Sequence, residues 1–330
     1  MNFVVFSGGV GGAKFAEGMA RSVGAESLTV IVNTADDLEL YGLHISPDLD
    51  TVTYTLANVA NAETGWGVTG DTFRNFEMLG QYGVEPWFRL GDKDLATHII
   101  RTNMLRSGAT LTEVTRALCA RLGIRSRVLP MSDDRVRTVV DTVEGLLTFQ
   151  EYFVKKRCEP VVRGLIYEGI EEAQASADVL RAIETADTII IAPSNPYLSI
   201  APILSLGGVR DALLNAAAPV IAISPIIEGT ALKGPAAKIM TELGKVPSAV
   251  TVAEYYSDFI NGFVLDEKDA ELQLDVITMG LGPLVTNTIM YTPDDRARLA
   301  CEVVNYADQL RPDQLGGCKL DEMPKLSPSA

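Results

Sequence analysis

The chain opens on an unbroken apolar run, Phe3-Val4-Val5-Phe6, followed by a cluster of glycines and then a mixed segment from Ala13 to Met19. A short continuous apolar run suits a parallel strand covered on both faces, and the segment after it has the pattern of a helix start. Leu28 to Val32 is a second such run, so the first thirty residues make a β-α-β unit with an expected right-handed crossover. Asp92 to Leu105 and Leu111 to Leu122 carry helical periodicity, the first with Leu95, Ile99 and Asn103 on or near one face. Helix Ala177 to Ala186 then leads into a buried strand, Thr188 to Ala192. Further on, Val220 to Ser224 and Gly262 to Leu265 are strands with Val252 to Ile260 helical between them. Val276 to Met279 adds a possible strand, and Asp294 to Leu310 is a closing amphipathic helix.

Two stretches break this rhythm. Between Gly65 and Leu90, aromatic residues (Trp66, Phe73, Phe76, Tyr82, Trp87, Phe88) alternate with turn formers. From Arg125 to Glu168, short strands around Arg127 to Leu129, Val136 to Asp141 and Leu146 to Phe149 interrupt the α/β alternation. The expected fold is therefore α/β: a doubly wound, mostly parallel Rossmann-like sheet forming one domain over residues 1–310, with a smaller inserted α+β lobe around 125–168. Residues 311–330 have the Pro, Gly and charged composition of a disordered tail.

Charge and composition narrow the function. The chain has 330 residues, 47% of them hydrophobic, and a net charge of −15, which disfavours non-specific contact with nucleic acid or anionic membrane. No apolar run reaches the length of a membrane span, and strand-forming residues begin too early for a signal peptide. The four cysteines, Cys119, Cys158, Cys301 and Cys318, form no CxxC pair, so neither a zinc site nor a disulfide framework is expected, and a cytoplasmic protein is. Only two histidines are present, His44 and His98, and His98 has the setting of a satisfied, partly buried side chain. Carboxylates and a metal are left to carry the chemistry.

In doubly wound sheets, ligands gather at the carboxyl ends of the strands. There, Gly8, Gly9, Gly11 and Gly12 precede a helix whose free N–H groups and positive dipole end suit a phosphate. The spacing GGVGGAK is not the P-loop GxxxxGK[ST] and fits GxGxxG only loosely, so a tight turn without a ligand is the alternative. The loop after the second strand, Asn33 to Thr51, carries Asp36, Asp37, Asp48 and Asp50. Carboxylates beside a phosphate repel it unless Mg²⁺ lies between, although single aspartates here also suit turns and a helix cap. Ser194 and Asn195 end the Thr188 to Ala192 strand, and Lys14 and Lys233 are placed to neutralise phosphate charge. Arg89, after Trp87-Phe88, suits a phosphate or a ring carbonyl, and the aromatics around it could stack on a flat ring.

The segments FSGGVGGAK, NTADDLELYGLHISPDLDT, GWGVTGDTF, FRLGDKDLATHIIRTNML, LPMSDD, APSNPYLSIAPILSL, SPIIEGTALKGPAAK and VAEYYSDF resemble, in order, the 2-phospho-L-lactate transferase family of coenzyme F420 biosynthesis. The resemblance runs to about Phe263. It implies a homodimeric enzyme that moves a phospholactyl or related three-carbon phospho-acid group from a guanosine diphosphate conjugate to the ribityl hydroxyl of the deazaflavin Fo. It also implies Mg²⁺ as cofactor and GMP as the released product. Fo contacts fall on Asp50 and Arg89, and the Ser194-Asn195 loop falls in the nucleotide-binding region. On this reading Asp36, Asp37 and Asp48 are candidate metal ligands. Asp50 either joins them or orients the acceptor hydroxyl and takes its proton. Glu228 departs from the family pattern, which often has Gly there, adding charge and bulk near the donor. The rival readings are a nucleotide-sugar-binding regulatory protein of the same fold and a nicotinamide dehydrogenase. Against the second, Asn33-Thr34 stands where a ribose-binding acid would end the second strand.

Overall fold

Strand β1 (Phe3–Ser7) lies inside a seven-stranded sheet in the computed structural model, which describes residues 1–311. Its neighbours are β2 (Leu28–Val32) and β9 (Thr188–Ile191). The sheet runs β14 (Gly282–Thr286), β13 (Gly262–Asp266), β10 (Val220–Ile223), β9, β1, β2, β5 (Arg127–Pro130), with every pairing parallel. Successive side chains of a strand point to opposite faces, and here both faces are covered. Val5 shares a core with Phe15 and Met19 of helix α1 (Gly9–Val23) and with Leu299 and Val303 of the C-terminal helix Pro293–Gln309. Val4 and Phe6 share the opposite core with Ile203, Val252 and Tyr256. This two-sided burial is the reason the run is continuously apolar. Because β1 adds β2 on one side and β9 on the other, the strand order reverses at the β1–β9 boundary, where such sheets open a ligand crevice at their carboxyl edge.

The inserted lobe is a three-stranded antiparallel sheet, β7-β6-β8, made of β6 (Arg137–Thr142), β7 (Gly145–Thr148) and β8 (Val162–Glu168). It begins later than the expected 125, because β5 pairs with β2 at Val128–Val30 and belongs to the main sheet. Val140 and Tyr152 of the lobe pack against Leu198 and Ile239 of the body. The side-chain amide of Gln150 donates to the backbone oxygen of Asp36 (3.1 Å), fastening the lobe to the loop after β2.

Three expectations change. Helix α1 starts at Gly9 rather than Ala13, so Gly9, Gly11 and Gly12 form its first turn and Gly8 its N-cap, instead of all four making a loop before it. Val276 to Met279 is not a strand: Gln273–Thr278 is helical, with Val276 buried and Ile277 48% exposed, and the next strand is β14. A four-residue apolar run cannot by itself separate the two. Between Gly65 and Leu90, helix α3 (Arg74–Gln81) forms where only turns and aromatics were expected. Its first amides, Arg74 and Asn75, donate to Asp92, while Asp71 accepts from the amides of Lys93 and Asp94 at the start of helix α4 (Asp92–Arg106). The two aspartates thus cap each other's helix. The expected tail 311–330 lies, apart from Arg311, outside the described residues.

Candidate active site

At the switch point the glycines divide into two kinds. A methyl group on Gly11 would collide with the backbone oxygen of Pro193, and one on Gly12 with the hydroxyl of Ser7. One on Gly8 would lie 2.7 Å from Asp48 Oδ2. These three let α1 pack tightly on the strand ends. Gly9 differs: its φ is +64°, and a side chain there would point into open space. The amides of Val10 and Gly11, in the first turn of α1, have no acceptor within the helix, as helix geometry requires. The anion site expected of all four glycines narrows to this open corner.

Ser194 is a strut. Its hydroxyl accepts from Gly8 N–H (3.2 Å) and donates to Gly8 C=O (2.9 Å), tying the end of β9 to the end of β1. Asn195 caps the following turn by accepting from the amides of Tyr197 and Leu198 (3.0 and 3.2 Å). Both residues shape the crevice, and their side chains are engaged by the chain itself. Lys14 donates to the backbone oxygen of Met290 (2.9 Å). Burial, then Arg296 and Lys233, lower its pKa from the usual lysine range, which places Lys14 and Lys233 in one positive patch. Lys233 also reaches the open corner, since a methyl on Gly65 would meet Lys233 Nζ at 3.0 Å and the Val10 side chain at 3.3 Å.

The aspartates separate as well. Asn33 donates through one amide nitrogen to Asp36 Oδ2 (3.1 Å) and Asp48 Oδ2 (3.0 Å), and Gly9 N–H donates to Asp48 Oδ1 (2.8 Å). Burial, followed by the Asp48 charge, pushes the Asp36 carboxyl well up, and burial pushes Asp48 up to about 6. Asp36 Oδ1 is buried and makes no well-formed hydrogen bond, although the Thr138 hydroxyl lies near enough to hold the carboxyl down in part. A carboxylate pair this desolvated, with one poorly satisfied oxygen, fits a small hard cation that takes oxygen ligands. Asp37 is engaged elsewhere, accepting from Ser46 Oγ (2.7 Å to each oxygen) and contacting His44 Nε2 (2.9 Å). Of the three expected metal ligands, the structure brings Asp36 and Asp48 together and sets Asp37 apart. Asn33 carried no signal of its own in the sequence beyond not being an acid.

Asp50 follows one turn into helix α2 (Pro47–Leu56), and both its oxygens accept from Arg101 of α4. Arg89 is exposed, its guanidinium stacked 4.2 Å above the Phe73 ring. The two residues expected to share the acceptor therefore have separate partners here. Between α3 and the hairpin of β3 (Leu38–Leu40) and β4 (Leu43–Ile45) lies an apolar cavity of about 230 Å³, lined by Tyr41, Phe76, Leu79, Phe88 and Leu90 among others.

Glu228 lies in the hairpin of β11 (Ile226–Ile227) and β12 (Thr230–Ala231) with φ +48°, the left-handed region that favours glycine. Its side chain reaches Lys268 (3.0 Å), and its N–H donates to Asp269 (3.0 and 3.2 Å). Relief of the backbone strain, worth about 1 kcal/mol, and loss of an exposed ion pair, worth about 0–1 kcal/mol, nearly cancel. Glu228→Gly is therefore expected to leave the denaturation midpoint nearly unchanged and the choice of donor unaltered. A changed donor preference would show that the carboxylate acts on the site.

The sheet is that of a doubly wound α/β protein, with a helix N-terminus and a desolvated carboxylate pair at its switch point, where such folds bind ligands. The chain belongs to the 2-phospho-L-lactate transferase family: the family model described as 2-phospho-L-lactate transferase CofD matches residues 3–292. It is an enzyme, a transferase. A 2-phospho-L-lactate transferase of Methanosarcina mazei is 43% identical over 304 residues, covering 92% of this chain and 99% of that protein. A phosphoenolpyruvate transferase of Streptomyces griseus is 42% identical over 317 residues, covering 94% and 100%. The fold is also that of a Bacillus halodurans protein described as a UPF0052 family member, with a TM-score of 0.59 at 14% identity over 92% of this chain and 98% of that one. No helix among the described residues is long and apolar enough to cross a membrane.

Proposed function

We propose that this enzyme transfers a three-carbon phospho-acid group, phospholactyl or a close analogue, from a guanosine diphosphate conjugate to the ribityl hydroxyl of Fo, forming F420-0 or its analogue and releasing GMP. The observation that carries the reading is the Asn33-bridged pair of Asp36 and Asp48 against the Gly9 amide, with Lys233 near Val10 in the next position of the same turn. Such a corner accommodates a diphosphate only with a cation between. Mg²⁺ held by Asp36 and Asp48 would supply that charge neutralisation.

The chain's own groups do the rest. Val10 and Gly11 N–H groups and the α1 dipole face the diphosphate, and Lys14 and Lys233 balance the charge that gathers on the departing GMP. Asp50 orients the acceptor hydroxyl. Because Arg101 occupies both its oxygens, it serves better as a fixed hydrogen-bond acceptor than as a proton-taking base, and the hydroxyl proton leaves to solvent as the new P–O bond forms and the bond to GMP breaks. The aromatic segment carrying Phe73, Phe88 and Arg89 offers ring faces and a guanidinium for the deazaflavin. Positioning and charge supply most of the acceleration in such phosphoryl chemistry. Relatives of similar identity carry both the phospholactate and the phosphoenolpyruvate name, which supports a three-carbon acid as the class.

Incubating the protein with Fo, Mg²⁺ and each guanosine diphosphate donor in turn, with products identified by mass, tests this directly. One donor is expected to give the Fo adduct and GMP, with loss of product in EDTA. Quenching of Fo fluorescence without product from any donor would favour a binding protein over a transferase.

A further inference from the structure

The face of α4 that packs inward is not the apolar one. Leu95 is half-buried, Ile99 is 49% exposed and Asn103 is exposed, whereas Asp94, His98, Arg101 and Thr102 are buried. Asp94, His98 and Arg101 are spaced i, i+4 and i+7, so they line one face of the helix. Opposite them, Asp50 and Tyr54 of α2 are spaced i, i+4. The side chains form a continuous chain. Tyr54 Oη donates to Asp94 Oδ1 (2.7 Å), and His98 Nε2 lies 3.2 Å from the same oxygen, a close contact without well-aligned hydrogen-bond geometry. Arg101 reaches His98 Nδ1 (3.2 Å), and its two terminal nitrogens donate to the two oxygens of Asp50. Arg101 can only donate, so Nδ1 is the ring nitrogen that accepts from it.

The arrangement is costly. Arg101 and His98 are 3% and 1% exposed, Arg101 Nε has no partner, and apolar side chains could join two helices without desolvating charge. The atoms of Asp50, Asp94 and His98 lie close enough together to suggest a metal site, but the Arg101 guanidinium already fills the cationic position between Asp50 and His98. What the chain of contacts provides that an apolar contact would not is a fixed direction for the Asp50 carboxylate. It leaves only 7% of that side chain accessible.

We propose that Arg101, held by His98 and through it by Asp94 and Tyr54, is a positioning residue that sets the orientation of Asp50 toward the acceptor hydroxyl. The inference rests on the acceptor role of Asp50 proposed above. Arg101 touches no substrate; it acts by presenting the lone pairs of Asp50 that its fork does not use. Lysine at this position would keep the charge and lose the two-pronged geometry.

The test compares Arg101→Lys, Asp50→Asn and the double variant, with KM for Fo and for the donor read on Arg101→Lys and fluorescence-detected Fo affinity read on all three. Arg101→Lys is expected to raise KM for Fo at least tenfold while donor KM stays within twofold, and the double variant is expected to be no worse than Asp50→Asn. Equal changes in both KM values, an unchanged KM for Fo, or additive losses in the double variant would overturn the inference. Should Arg101→Lys fail to fold, His98→Leu and His98→Gln serve instead. The glutamine, which retains an acceptor for Arg101 and a donor for Asp94, is expected to lose several-fold less Fo affinity than the leucine, and equal losses would overturn the inference. If Asp50→Asn alone leaves Fo binding and turnover unchanged, the acceptor-site reading itself has failed, and the role of Arg101 falls with it.

Discussion

Asp48→Asn is expected to lower transfer at least about 100-fold while making the metal-free protein more stable. The two effects have one cause. The carboxyl of Asp48 is held at about 6 against an ordinary 3.8, chiefly by burial, so the folded state resists its ionisation. Two pKa units correspond to about 3 kcal/mol at neutral pH. The amide would set a second N–H group against the one Asn33 already presents, which offsets part of the gain. The net stabilisation expected is about 1–2 kcal/mol. The sign follows from linkage: a carboxyl whose folded pKa lies above its unfolded value costs nothing below pH 4. Its cost then grows between about pH 4 and 6 and stays constant above. Denaturant midpoints of the two proteins in EDTA are therefore expected to cross, the variant lying slightly lower near pH 4, where only the amide's penalty acts, and higher by pH 7.5. Added Mg²⁺ should raise the midpoint of the unaltered protein alone. A variant less stable at pH 7.5, or one that keeps half its activity, would remove Asp48 from the site. Function held at the expense of stability is common where charges are brought together without their ligand.

Asp50→Asn is expected to abolish transfer too, but it also destabilises the fold, by about 3 kcal/mol, because it leaves the buried Arg101 cation without its counter-charge. A loss of activity in Asp50→Asn is therefore to be read beside its stability. Replacing both members, as in Asp50→Asn with Arg101→Met, removes the unpaired charge, and such exchanges are often close to neutral. The double variant is expected to regain most of the lost stability and none of the activity, read from denaturant midpoints and Fo-dependent product formation. Recovery of transfer along with stability would mean that Asp50 serves the fold only.

Much of the architecture is legible in the residues because two-sided burial leaves an unmistakable trace. The strands around Val5, Val30, Ile190, Ala222 and Val264 have no reason to be continuously apolar unless both faces are covered. The glycine cluster is equally visible, but its division of labour is not. That Gly11 and Gly12 serve close packing while Gly9 opens outward depends on where Pro193 and Ser7 lie, and spacing in the chain does not encode that. The acidic loop illustrates the same limit. Asp36 and Asp37 are neighbours in sequence and yet turn to different partners, Asn33 for one and Ser46 with His44 for the other. Helix α4 misleads more actively. Leu95 and Ile99 mark an apolar stripe, but the buried stripe is Asp94, His98 and Arg101, whose partners lie some forty to fifty positions earlier, on α2. The signal was present as paired polar spacings, i, i+4 on α2 and i, i+4, i+7 on α4, and it becomes readable only when the two are set side by side.

Donor, cation and acceptor are expected to meet at one corner of the sheet. A crystal structure of the protein with Mg²⁺, Fo and a non-transferable guanosine diphosphate conjugate is the most direct measurement. It is expected to place the diphosphate over Gly9 between Lys14 and Lys233, the metal on Asp36 and Asp48, and the ribityl hydroxyl at Asp50. A diphosphate bound away from Gly9, or a deazaflavin whose ribityl chain ends far from Asp50, would contradict it.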